Sequence, residues 1–177
     1  GTATGTTTGG NVVVGASSQP ANSLLPESAS RVPFTNFTLT NTSGAAVTIN
    51  SVTVQKMGLG DKAAFDGILM VDSNGIAFGN SKTMNSNNQV VLDAGLTLQP
   101  GQTVVLTVTA STDSDNDAYA GQTIGLSVIG INTSATVSGS LPISGATHTI
   151  NSTLALGAMT AAVGSQDPDT TSLATAG

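Results

Sequence analysis

The chain has 177 residues, 38% of them hydrophobic and only 8% charged, with a net charge of −6. Four basic residues cannot neutralise a run of phosphates, which argues against nucleic acid and against anionic membrane surfaces as partners. Cysteine is absent, which excludes disulfides and thiolate metal sites, and no apolar run approaches the roughly 18 residues of a membrane span.

The uncharged remainder is Thr, Ser, Asn and Gly. Thr and Val favour strands while Gly, Asn and Ser favour turns, so the composition predicts an all-β fold. In chain order, residues 1–11 form a Gly/Thr-rich extension. "NVVVGA" (Asn11–Ala16) is the first strand, and "VPFTNFTLT" (Val32–Thr40) is the second, with Pro33 at its start or on an edge. After the turn "NTSG" comes "AAVTINSVTVQK", where Val47 and Ile49 share a face. Val52 and Val54 then change parity, which places a bulge at Asn50–Ser51. "DKAAFDGI" is the one stretch with helical character, a turn or two at most.

"GILMVD" and "GIAFG" flank "DSNG" (Asp72–Gly75), a hairpin signal. "QVVLDAGLTL" leads through "QPGQ" to "TVVLTVTA", with Val104, Leu106 and Val108 inward. Beyond the acidic loop "STDSDNDAYAG", Ile124, Leu126 and Val128 face inward, and "SATVSGS" and "THTINSTLAL" supply the last strands. Eight to ten short strands at this spacing read as a β-sandwich over 12–157.

The C-terminal stretch, 158–177, repeats the start of the chain. Val14-Gly15 recurs as Val163-Gly164 and Ser23-Leu24 as Ser172-Leu173, each 149 positions on; Pro20 recurs as Pro168, with one residue lost between. Such a chain is either part of a tandem array or ends in a segment equivalent to its own first strand.

The stretches "SLLPESASRVPFTNFTLTNTSGAAVTINSVTVQKMGLGDKAAFDGILMVDSNG", "LTLQPGQTVVLTVTASTD" and "VSGSLPISG" resemble an Ig-like repeat of large secreted bacterial cell-surface proteins. The resemblance implies an Ig-like sandwich, an extracellular location and a structural role as filament, surface-layer or adhesin material. It brings no catalytic residues.

The residues themselves offer little for an enzyme. The single histidine, His148, alternates with Thr147 and Thr149 and is expected on a solvent face; no nucleophile elbow or phosphate-binding glycine loop is present. No cofactor is expected, with one possible exception. Asp113, Asp115 and Asp117 are spaced so that a curled loop could hold a calcium ion, although Ala118 and Ile124 stand where an EF-hand needs Gly and Glu. A solvated acidic hairpin tip is the alternative. Asp61, Asp66 and Asp72 form a second acidic group that ordinary turn capping accounts for. Asn36, Asn41, Asn132 and Asn151 each head an Asn-x-Ser/Thr glycosylation sequence. Lys56, Lys62 and Lys82 raise the idea of a Lys–Asn isopeptide cross-link.

The expectation is therefore a structural subunit of an extracellular assembly, a homo-oligomer or homopolymer joined by β-strand addition, with Val12, Val13, Val14 and Val163 at the interface. The alternative is a partner- or carbohydrate-binding module of a surface adhesin. With Tyr119 as the only Tyr and no Trp, aromatic platforms for sugar stacking are scarce.

Overall fold

The computed structural model describes residues 11–154. Eleven strands are formed among them: β1 (Asn11–Ala16), β2 (Leu24–Pro26), β3 (Val32–Asn41), β4 (Val47–Met57), β5 (Phe65–Asp72), β6 (Ala77–Lys82), β7 (Gln89–Leu98), β8 (Thr103–Thr112), β9 (Thr123–Thr133), β10 (Thr136–Gly139) and β11 (Ile143–Asn151). They make two sheets, a six-stranded one in the order β10-β1-β3-β8-β5-β6 and a five-stranded one in the order β2-β11-β9-β4-β7. The all-β sandwich is thus the architecture. The helical stretch reduces to a single 3-10 turn at Lys62–Ala64, opened by the Asp61 carboxylate, which accepts from the Ala63 N–H at 2.9 Å.

Period-two alternation decides what is inside. Leu106 and Val108 from β8 are buried with Ile124, Leu126 and Val128 from β9, and Phe34, Phe37, Ile49, Met70 and Leu92 fill the space between the sheets. Val104 is only half-buried, because it lies near the turn end of β8. The parity change in β4 is a register shift between Ile49 and Ser51 against both neighbours. Aromatic packing is concentrated at Phe34, which stands edge-on to Phe65 at 5.5 Å and to His148 at 4.5 Å between ring centroids.

β1 lies in the sheet of its own domain. It runs antiparallel to β3, Val14 opposite Leu39, and parallel to β10, Val12 opposite Val137. Val12 and Val14 are buried and Val13 is half-buried. The segment expected against a neighbouring subunit therefore has its partners within the chain, because β3 presents a free antiparallel edge and the core a matching apolar face. The Gly/Thr extension before Asn11, Val163 and the C-terminal repeat lie outside the described residues.

The chain enters and leaves this unit at opposite ends. Asn11, where β1 begins, accepts through its carbonyl from the Thr42 N–H at 2.9 Å, in the turn that joins β3 to β4. Ile150, near the end of β11, accepts from the Gly121 N–H at 2.8 Å, in the loop that joins β8 to β9. A ten-residue strand such as β8 separates those ends by about 30 Å.

Candidate functional site

The exit end gathers most of the polar chemistry. The β8–β9 loop turns at Asp113, whose carboxylate accepts from the Asp115 N–H at 3.0 Å. Its carbonyl accepts from the Ser28 N–H, also at 3.0 Å, and so ties the loop to the segment after β2. Asn116 is fully buried between these segments. Its N–H donates to Glu27 Oε1 at 2.8 Å and its Nδ2 donates to the Ala64 carbonyl at 3.3 Å. Its Oδ1 is buried without a hydrogen-bond partner among the described residues. A polar cleft of about 340 Å³ lies beside this loop, lined by Ser28, Ser30, Asp66, Ser111, Asp113 and Ser114 among others.

The three aspartates of the calcium expectation do not meet. Asp113 is half-buried and spends its carboxylate on the loop backbone, while Asp115 and Asp117 are exposed. Among the described residues no three His, Cys, Asp or Glu side chains converge as a metal site. The second acidic group is spread likewise. Asp61 opens the 3-10 turn, Asp72 accepts from the Asn74 and Ile76 N–H groups at 2.8 and 2.9 Å, and Asp66 lines the cleft.

The four sequence-predicted glycan acceptors differ in availability. Asn41 is fully buried. Its Nδ2 donates to the Ala45 carbonyl at 2.7 Å and the Leu98 carbonyl at 3.0 Å, so a sugar there would displace the β3–β4 turn. Asn36 is half-buried, with Nδ2 on the Ser18 carbonyl at 2.7 Å. Asn132 is exposed, and Asn151 is half-buried with its Oδ1 accepting from the Leu154 N–H at 2.6 Å. The lysines are occupied elsewhere. Lys56 donates to the carbonyls of Gly58 and Gly60 at 3.0 and 2.6 Å, Lys62 to that of Asn85 at 2.7 Å, and Lys82 pairs with Asp93 at 2.6 Å; none meets an Asn amide. Lys62 and Lys82 also rim a smaller apolar cleft of about 210 Å³ over Phe65, Ile68 and Met84.

His148 corrects an expectation. It is 2% exposed, not on a solvent face. Its neighbours on the same side of β11, Ala146 and Ile150, are core residues, and it shares their parity. Nδ1 accepts from the Ser23 N–H at 3.1 Å, which leaves Nε2 to donate to the Pro33 carbonyl at 3.1 Å. The Ser23 hydroxyl also sits 2.9 Å from Nδ1. A serine at this distance from an imidazole has the spacing of a nucleophile and its base. Here, however, the ring's lone pair already faces a main-chain N–H. The arrangement ties the segment before β2 to β11, and Thr149 reinforces it by donating its N–H to the Ser23 carbonyl at 3.0 Å.

No helix among the described residues is long and apolar enough to cross a membrane. No protein-family model matches the chain, and no curated protein sequence matches it.

Proposed function

We propose that the chain is a structural subunit of an extracellular cell-surface assembly, a filament or a surface layer, built on an Ig-like sandwich whose terminal segments join one unit to the next by strand addition. The observation that carries this reading is the entry of the chain at one end of the sandwich, by Thr42 and Asn11, and its exit at the other, by Gly121 and Ile150. Units linked through such ends stack along one axis. A heterologous contact of that kind extends without closing. The low charge and the Thr- and Ser-rich surface allow close packing of copies with little repulsion. The repeat of Val14-Gly15 and Ser23-Leu24 in the C-terminal stretch fits the same reading, since a sequence like that of β1 follows the exit strand in the chain.

The test is direct. The purified chain is followed by sedimentation velocity and electron microscopy as its concentration rises. The reading expects linear or sheet-like particles with an axial repeat close to one sandwich length. Monomers at every concentration would remove it.

The hydroxyl- and carboxylate-lined cleft by Asp66 and Asp113 favours a second reading, a carbohydrate- or partner-binding module. Saccharide titration monitored at Ser28, Ser111 and Asp113 resonances tests it. Shifts confined to those residues support a binder.

A further inference from the structure

The two lateral sides of the sandwich are built differently. On one side β6 and β7, the end strands of the two sheets, run close together. Lys82 and Asp93 form an ion pair between them at 2.6 Å. Gly79, at φ +66°, packs on Asp93, and Gly95, at φ +53°, interrupts β7. Charge and irregular backbone are what protect a sheet edge from pairing with another chain.

The opposite side lacks the charge, and its positive-φ glycine, Gly139 at +106°, is the last residue of its end strand, β10, beyond the Thr136–Ser138 edge. β10 ends the six-stranded sheet with "TVSG", four residues without charge, and among the described residues it is paired on one side only, by β1. Thr136 and Ser138 are exposed. The other end strand on this side, β2, is three residues long, finishes in Pro26 and is tied to β11 through Ser23 and His148. Pro26 cannot donate to a ladder, so β10 is the better acceptor.

We propose that the outer edge of β10 accepts residues 160–165 of a second copy as an added strand. The inference rests on the assembly reading above and specifies its joint. "TAAVGS" (Thr160–Ser165) repeats the pattern of "NVVVGA", and β1 already lies parallel to β10 on its inner side. The segment is thus of the strand type this sheet takes up. It is a poor substitute for β1 and β2 themselves. Ala161 stands where β1 has Val12, and Ala174 where β2 has Leu25, both wholly buried side chains. Addition beside β10 avoids that loss, and displacement of β1 does not.

The geometry suits the joint. β10 starts at the entry end, Thr136 opposite Asn11, and runs toward the exit end. A segment that leaves one copy after Leu154 therefore meets the start of β10 in the copy stacked on its exit end. Five residues, 155–159, span about 16 Å when extended, enough to cross that contact.

The experiment uses the full chain with Thr136→Lys and Ser138→Lys together, both at exposed positions, so that β10 acquires the protection β6 and β7 have. Sedimentation velocity is expected to show assembly by the wild type and monomers for the double variant, with melting temperatures alike. Lys82→Thr with Asp93→Thr, on the protected side, is expected to leave assembly by the β10 joint intact. A synthetic peptide of residues 155–177, added to the wild type, is expected to shorten the particles by capping β10, and this arm stands if the double variant folds poorly. Assembly of a well-folded double variant at the wild-type level, or no effect of the peptide, would overturn the assignment of β10 while leaving the assembly reading in place. A wild type that never assembles overturns both.

Discussion

His148 on β11 and Ser23 before β2 are 125 residues apart, and the histidine's Nδ1 accepts from the serine's N–H at 3.1 Å. The short β2 is held by this contact, by the Thr149 N–H on the Ser23 carbonyl, and by burial of Leu25. His148→Leu removes the acceptor of the Ser23 N–H and the donor to the Pro33 carbonyl, two part-buried hydrogen bonds at exposed residues. Each such bond contributes about 0.5–1.5 kcal/mol. Urea unfolding is expected to show a loss of about 1–3 kcal/mol, and hydrogen exchange at Ser23 and Thr149 to accelerate before exchange in β3 and β8. Ser23→Ala keeps the main-chain donor and is expected to cost less than about 1.5 kcal/mol.

Leu106 is fully buried in the middle of β8, with β3 on one side and β5 on the other. Leu106→Ala removes its apolar volume and leaves a cavity that strands on both sides hinder from closing. The expected cost is about 2–5 kcal/mol, measured by chemical denaturation. A change below about 0.5 kcal/mol would mean that the inward face of β8 is misassigned.

Gly145 lies where β11 passes β3. A Cβ on it would land on the carbonyl oxygen of Phe34 and within 2.6 Å of Thr35 Cα. Backbone atoms on both strands would have to separate, so Gly145→Ala is expected to cost at least about 3 kcal/mol, near the upper end for point substitutions. Gly44, whose Cβ would meet nothing within 4 Å, is the control, with an expected change under about 0.5 kcal/mol.

The acidic loop separates its residues by role. Asp113→Asn retains an oxygen for the Asp115 N–H, and Asp115 and Asp117 are exposed. The triple Asn variant is expected to melt within a few degrees of the wild type in metal-free buffer. Calorimetry with calcium is expected to show no strong site at this loop, since its three carboxylates do not converge. Saturable heat in the wild type that is lost in the triple variant would reverse that expectation.

Alternation made the large strands readable. Leu106, Val108, Ile124, Leu126 and Val128 are buried as their parity requires, and the bulge in β4 was visible as the change of phase after Ile49. Contacts between distant segments were not readable. β2 is three residues without alternation, and its partner is the last described strand. His148 sits among threonines, which hides its parity; Ala146 and Ile150, two positions to either side, carried the signal that it points inward. The acidic spacing at 113–117 fits several loop conformations, and the one adopted depends on Glu27 and Ala64, neither of which is near in sequence.

β1 offers the last prediction. Deleting residues 1–16 removes Val12 and Val14 from the core and strips β3 and β10 of a shared partner. Burial of each valine contributes about 1.5–3 kcal/mol. The combined loss of about 3–6 kcal/mol is comparable to the whole stability of many domains, about 5–15 kcal/mol. The truncated chain is therefore expected to be largely unfolded or strongly destabilised while monomeric. A peptide of residues 9–18 supplied in trans is expected to restore the melting transition, because β3 and β10 still frame the vacant position. The same peptide with Val12→Ala and Val13→Ala, which brings those two positions to the C-terminal repeat's residues, is expected to restore it less well. Equal rescue by the two peptides would show that the Val12 contact adds little. The C-terminal repeat would then be as fit for the β1 position as β1 itself, and displacement rather than edge addition would become the favoured joint.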